Sequence, residues 1–346
     1  MDIEYKDLIG QINEKIQTEE AKAVLDEFLN NIPNTDTPFE ALYAIIKQGF
    51  FNTFPFSYLF KTLVISLGLL LFLNIFKGVF KNNQTFNTVR FFAIISISSA
   101  TVFPTFKLIN NATVYMRDIS TFLGVAFPML GILTAGGGNV ISAKTSSLFF
   151  SLLLGGCQLV LNTILPTVIT LMLGLTVIDV FLGEGKFVAI STFVKNTVFG
   201  IFSIAISLFY IIISAYGQAA KGADSISART IKLMVGNAIP IIGGTIGETI
   251  KFVTSGIINL KNAVGISAVV FILSLFLPIL ICFFGSGIIL NLMKCICDFL
   301  SISELKNLIS HIKSMLDFSL AIFASITVAA IININAFISV LPVLAS

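Results

Sequence analysis

The sequence is poor in charge, tryptophan and histidine. Charged residues make up 11% of its 346 residues, and it contains no Trp and a single His. Soluble domains carry about 25% charged residues, so this chain has too few charges to cover the surface of a soluble globular protein. This shortage excludes a water-soluble globular enzyme.

Motifs that carry chemistry are also scarce. The glycine run at 136–138 lacks the Lys-Ser/Thr pair that completes a phosphate-binding loop. With one His and no paired carboxylates at a catalytic spacing, we expect no enzymatic activity. Cys295 and Cys297 approach His311 in sequence, but their spacing matches no common metal site. We therefore expect ordinary buried thiols, no metal, no cofactor and no nucleic-acid partner.

Long apolar segments are abundant. Apolar residues account for 56% of the chain, Phe alone contributes 34 residues, and the mean hydropathy is +0.97. These segments predict an all-α polytopic membrane protein with about seven to eight spans, because about 20 apolar residues cross a bilayer as a helix. The segments are 59–76, 91–109, 119–135, 146–181, 196–216, 264–284 and 318–341.

Two of these segments decide the number of crossings. Segment 119–135 is short and interrupted by glycine and proline. It either crosses fully or dips in as a re-entrant element, and the re-entrant form keeps the basic segment 217–263 on the cytoplasmic side. Segment 146–181 is too long for one span, so we predict a hairpin that turns near Pro166.

Charge divides the chain into two regions. Residues 1–58 hold ten acidic and four basic side chains, a net charge of −6, which leaves +9 for residues 59–346. Short basic loops stay in the cytoplasm, whereas a segment poor in Lys and Arg can be translocated. We predict an acidic, soluble, helical N-terminal region over 1–58, outside the cytoplasm, and a transmembrane domain over 59–346.

Two segments have the apolar spacing of amphipathic helices. Residues 2–30 predict a soluble helix that either docks a partner or lies as a cap on the membrane domain. Residues 301–317 predict a helix in the plane of the membrane interface, capped by Ser301 or Ser303.

A weak internal repeat relates segments 117–131 and 229–243, with possible repeat units 117–228 and 229–340. The two segments are offset by 112 residues and agree at six of fifteen positions. Paired Gly/Pro-interrupted segments point to a transport site, while close helix packing is the alternative explanation. The residues predicted to line a conduit are Arg117, Gly124, Pro128, Gly131, Arg229, Gly236, Asn237, Pro240, Gly243, Gly244 and Glu248.

Glu248 is the most notable of these residues, because an ionisable side chain at membrane depth is costly and is a functional candidate by default. It directly follows the second Gly/Pro-interrupted segment. Two roles are open: binding of a cation or proton, or a structural ion pair with Lys251 or Arg229.

Two stretches carry a resemblance to a known family. Residues 227–244 and 260–265 resemble stage III sporulation protein AE, a family of polytopic membrane proteins of endospore-forming bacteria. The resemblance implies a place in the channel complex that joins mother cell and forespore. It also implies partners from the same complex, including an ATPase and ring-forming membrane proteins, and a location in the mother-cell membrane around the forespore. It carries over no catalytic residues.

Three functions are consistent with these features. The first is a permease-like subunit of the sporulation channel or secretion complex, required for forespore development, with the interrupted segments lining the conduit. The second is a stand-alone secondary transporter of a small solute, anchored by Glu248. The third is a non-conducting membrane scaffold for ring proteins.

Overall fold

The structure, a computed structural model, describes most of the chain beyond residue 82. The described residues are 16–19, 21, 22, 61, 64, 65, 68, 71, 72, 75, 83–182, 186–238, 243–299 and 302–339. The first predicted span, 59–76, therefore lies largely outside the described residues. Within the helices, the side chains of 225–254 and of a few shorter stretches also lie outside the description.

Regular structure in the described ranges is entirely helical, which confirms the predicted all-α class. The helices are α1 (Asn83–Gly136), α2 (Val140–Leu159), α3 (Leu165–Leu182), α4 (Lys186–Ala238), α5 (Gly243–Phe299) and α6 (Ser303–Ile338). A π-helical turn at Val160–Ile164 joins α2 to α3 without a break, so the two form one rod.

Five segments of the described chain are long and apolar enough to cross a membrane. They are Thr88–Gly136, Val140–Asp179, Ala189–Ile213, Ser255–Phe299 and Ser303–Ile338. The predicted number of seven to eight spans remains a prediction.

Rods that follow one another along the chain run in opposite directions. At one end of the bundle, Arg90 of α1 pairs with Glu304 of α6, and Lys306 of α6 pairs with Asp298 of α5, each at 2.6 Å. At the opposite end, Gly136 of α1 lies near Ile257 of α5. We call these the ion-paired end and the turn end. The chain thus forms an up-and-down helical bundle.

The predicted hairpin near Pro166 is wrong, and segment 119–135 is an unbroken helix. Segment 119–135 belongs to the continuous helix α1, which includes Pro104 and Pro128. At Pro166 the chain continues as a helix, because the π-helical turn just before it absorbs the distortion. The proline has no N–H for the carbonyl four residues earlier, and Leu165 N–H instead bonds to Val160 O, five residues back.

The predicted interfacial helix at 301–317 is also wrong. Residues from Ser303 onward continue into the last span as the single helix α6. The cap position is Ile302, with no side-chain capping bond. The apolar side chains of this segment, including Leu305, Ile309 and Ile312, are buried in a cluster with residues of α1 and α5. The segment therefore packs inside the bundle.

The N-terminal region contacts the bundle core in its described part. Residues 16–18 are not helical, so the predicted helix over 2–30 is interrupted there. Ile16 and Ala21 are 3% and 0% exposed and belong to the same hydrophobic cluster as residues of α1, α2, α3, α5 and α6. Of the two roles predicted for this region, the described residues favour the cap.

The ion pair between Arg90 and Glu304 is expected to contribute little to stability. Both side chains are 32% exposed, and pairs that are open to solvent are worth about 0–1 kcal/mol. We expect Glu304→Gln to lower the free energy of unfolding in detergent by less than about 1 kcal/mol. A larger loss in a denaturant titration of the purified protein would show that the pair is desolvated.

Candidate functional site

A groove of about 530 Å³ opens between α1 and α2. Three of the predicted conduit residues, Gly124, Pro128 and Gly131, line it. Both helices contribute to segments that are apolar enough to cross a bilayer. The other lining residues are Phe127, Ile132, Ala135, Val140, Ala143, Lys144, Ser147, Phe150, Ser151 and Leu154.

Small residues on both helices create this groove. On α2, Ala143, Ser147 and Ser151 recur every four residues and so share one face. A methyl group built on Gly131 would lie 3.9 Å from Ser147 Oγ, and one built on Gly124 would lie 3.8 Å from Leu154 Cδ1. Both distances are ordinary van der Waals contacts, so the glycines are not required for the two helices to approach each other. Their missing side chains leave open space between α1 and α2.

The groove wall contains several polar groups. Lys144 and Ser147 are exposed to it, and the hydroxyl of Ser147 donates to the carbonyl of Ala143 at 2.6 Å. The wall therefore presents an ammonium group and hydroxyls within otherwise apolar helices.

A tight turn closes the groove at one end. Gly138 adopts a positive φ of 87°, a conformation that favours glycine. The N–H groups of Gly137 and Gly138 donate to the carbonyls of Leu133 and Ala135 at 3.2 and 2.9 Å. The glycine run therefore ends α1 and reverses the chain into α2.

Asp224 of α4 caps the helix that follows this turn. Its side chain is buried, and its carboxylate accepts the N–H of Ile141 at 3.0 Å and of Ser142 at 2.8 Å. Asn139, at the cap position itself, makes no side-chain capping bond. A carboxylate at a helix N-terminus satisfies otherwise free N–H groups and complements the helix dipole. Asp224 thus fixes the start of the α2 wall.

The second copy of the repeat cannot be placed against this groove. The side chains of Arg229, Gly236, Asn237, Gly243, Gly244 and Glu248, and the whole of Pro240, lie outside the described residues. The duplication therefore remains a prediction.

Arg117 lies near the middle of α1 and is not among the residues that line the groove. Its side chain is partly buried, and its Nε atom is buried without a hydrogen-bond partner in the described part of the chain. Gly124 follows it by seven residues, which is two helical turns, so the two residues share a helix face.

Comparison with known proteins assigns the family. The sequence profile described as stage III sporulation protein AE matches residues 22–340. The chain belongs to this family. It is also 26% identical over 271 residues to the stage III sporulation protein AE of Bacillus subtilis (strain 168), an alignment that covers 76% of this chain and 67% of the relative. No solved structure matches.

Family membership associates the chain with sporulation and agrees with its apolar, membrane-crossing helices. The resemblance in residues 227–244 and 260–265 is therefore confirmed at the level of the family. The groove and its polar wall add features that a family name does not describe.

Sequence reasoning missed the polar residues of the groove, which are Lys144, Ser147 and Ser151. The four-residue spacing of small side chains from Ala143 to Gly155 was a usable signal, because it is the pattern of close helix contacts in membranes. Lys144 carried a second signal as a charge close to an apolar segment. Neither signal indicates which neighbouring helix the face meets.

A further polar contact ties α4 to α6. Lys195 Nζ donates to Ser314 Oγ at 2.6 Å. The rings of Phe199 and Phe318, each four residues further along, lie 6.4 Å apart, so the two helices run parallel here. Asp179, at the end of α3, is buried and accepts the N–H of Phe187 at 3.2 Å. These contacts hold the first part of α4 against α6 and against the end of α3.

Proposed function

We propose that this protein is a permease-like membrane subunit of the sporulation channel or secretion complex that links mother cell and forespore. Family membership supports a role in sporulation. The observation that carries the transport part is the groove with Lys144, Ser147 and Ser151 in its wall, within helices long and apolar enough to cross a membrane.

Polar groups in the wall favour a water-filled groove, if the groove-lining parts of α1 and α2 cross the bilayer as this proposal requires. A backbone carbonyl or a charged side chain in contact with hydrocarbon loses several kcal/mol of hydration, so such groups face protein or water. The groove, of about 530 Å³, is large enough to admit water molecules beside these groups.

We propose that the subunit performs no chemistry of its own and works within a larger assembly. Its partners would be the other membrane proteins of the same sporulation complex, with ring-forming subunits and an ATPase that supplies energy. The assembly would lie in the mother-cell membrane around the forespore. In this arrangement the groove faces a neighbouring subunit, which completes the conduit wall.

A non-conducting scaffold is the second candidate. The four-residue spacing of small side chains on α2 favours it, because such a stripe allows a second helix to approach closely. In that case a helix of a ring protein fills the groove and no water enters. A stand-alone transporter would depend on Glu248, whose side chain lies outside the described residues.

Cysteine labelling separates the conduit from the scaffold. In a variant whose four native cysteines are replaced, we expect Ser147→Cys and Ser151→Cys to react with a membrane-impermeant maleimide, because their side chains contact water in the groove. The matched controls are Leu148→Cys and Leu152→Cys. These side chains are 58% and 60% exposed but do not line the groove, so they face lipid and react slowly.

The labelling is measured in sporulating cells and in inverted vesicles that hold the assembled complex. Reaction at the two serine positions and not at the two leucine positions supports the conduit. Protection of all four positions, together with reaction at the exposed native Cys295 in the parent protein, contradicts the conduit and supports the scaffold.

A further inference from the structure

The groove between α1 and α2 carries charge of one sign. Among the described residues that line it, Lys144 is the only charged one, and the other polar side chains are the neutral hydroxyls of Ser147 and Ser151. Lys144 is exposed and forms no ion pair with a carboxylate in the described part of the chain. The groove therefore presents a positive group with no negative partner beside it.

Asp224 lies at the start of the same wall, but its charge is already engaged. Its side chain is 2% exposed and does not line the groove. Its carboxylate accepts the N–H groups of Ile141 and Ser142 at the positive N-terminal end of α2. The helix terminus thus offsets much of the charge of Asp224, whereas Lys144 remains open to a solute in the groove.

A second unpaired cation lies beyond the other end of the groove. Arg117 precedes Gly124 by two helical turns on the same face of α1, and in the described ranges its buried Nε atom has no hydrogen-bond partner. The next residue, Asp118, does not pair with it. The carboxylate of Asp118 accepts the N–H groups of Gln17 and Thr18 at 2.9 and 3.1 Å instead. Arg117 therefore extends the positive charge of this face.

Two contacts on either side of Arg117 show what this face meets. A methyl group built on Gly124 would lie 3.8 Å from Leu154 of α2. Towards the ion-paired end, Ile109 of α1 and Ile169 of α3 line the same small cavity. Arg117 is midway between these two levels, so it lies level with the π-helical turn that joins α2 to α3. The positive charge thus continues along the line between α1 and the second rod.

We propose that the groove selects small anionic solutes and that Lys144 is the residue that sets this preference. This inference rests on the proposed conduit and adds the charge class of the solute. An anion is attracted by the ammonium group and a cation is repelled by it. Apolar walls of low dielectric constant strengthen both effects.

Reagents of opposite charge test this preference. The full chain in membranes has its native cysteines replaced and carries Ser147→Cys, one helical turn from Lys144. Its labelling rate is measured with sulfonatoethyl methanethiosulfonate, which is anionic, and with trimethylammonioethyl methanethiosulfonate, which is cationic. Each rate is divided by the rate of the same reagent with a small free thiol. The ratio of the anionic to the cationic value then reports the electrostatic potential in the groove.

Three variants assign the potential to its source. Lys144→Gln removes the charge, and Lys144→Arg keeps it. Lys107→Gln is the matched control, because Lys107 is an exposed lysine of α1 that does not line the groove. It lies about 25 Å from Gly124 along the helix, a distance at which salt screens an exposed charge.

We expect the ratio to exceed one in the parent and to fall by about tenfold in Lys144→Gln, because a unit charge about 6 Å away in water changes the two local concentrations by about threefold in opposite directions. Lys144→Arg and Lys107→Gln should leave the ratio unchanged. Labelling whose ratio does not depend on Lys144 overturns the anion preference and leaves the conduit standing. If neither reagent labels Ser147→Cys, the conduit fails and the preference fails with it.

Discussion

Asp224→Ala is expected to lower the free energy of unfolding by about 1–3 kcal/mol, because it leaves the buried N–H of Ser142 without an acceptor and removes the cap of α2. The N–H groups of Ile141 and Ser142 lie 3.0 and 2.8 Å from this carboxylate. Ser142 is itself buried, so water cannot easily replace the lost acceptor. Denaturant titration or thermal inactivation of the purified protein in detergent measures the effect.

Two further variants test the cause of this loss. Asp224→Asn keeps one acceptor oxygen and should lose about half as much stability. Asp298→Ala removes a carboxylate that is 51% exposed in its pair with Lys306, and should cost about 0–1 kcal/mol. A loss for Asp224→Ala no larger than that for Asp298→Ala would show that the cap contributes nothing to stability.

Gly265→Ala is expected to cost about 1–3 kcal/mol, the usual penalty for an added methyl group in a packed interior. A Cβ at this position would overlap the side chain of Ile338 and lie 3.7 Å from Ile334 Cγ2. Only glycine lets α5 and α6 approach this closely at the turn end. The same unfolding measurements apply.

Two comparisons distinguish overlap from a general effect of alanine. Gly287→Ala lies in the same helix and would meet no atom within 4 Å, so it should be neutral or slightly stabilising, as expected from helix propensity. The double variant Gly265→Ala with Ile338→Ala should recover part of the loss, since neighbouring substitutions couple. Equal effects of the two glycine substitutions would contradict close packing at Gly265.

Local sequence patterns gave wrong predictions at two places where a helix continues without a break. At Pro166, length and the proline together predicted a turn, yet the chain accommodates the missing N–H with a π-helical turn. At residues 301–317 the polar face predicted an interfacial helix, but its apolar face is covered by α1 and α5. In both cases packing against neighbouring helices stabilises one continuous helix, which the sequence of the segment alone does not predict.

Gly124, Pro128 and Gly131 show what a pattern can and cannot predict. Their spacing indicated a special role for this part of α1, and they do line the groove. The residues that complete the wall, Lys144 and Ser147, come from α2. These residues face α1 because the glycine turn at 136–138 reverses the chain. The internal repeat did not indicate that α2 would be the neighbouring helix.

Composition by itself predicted an all-helical chain with segments long and apolar enough to cross a membrane, because the backbone of an apolar segment in lipid must satisfy its hydrogen bonds within the helix. Two short stretches determined its family. Only the tertiary structure decided which carboxylates are buried and what they hold. Asp118 and Asp224 bond to N–H groups about 100 and 83 residues away in sequence. Such contacts depend on how separate helices pack, and the local sequence around each aspartate does not determine that packing.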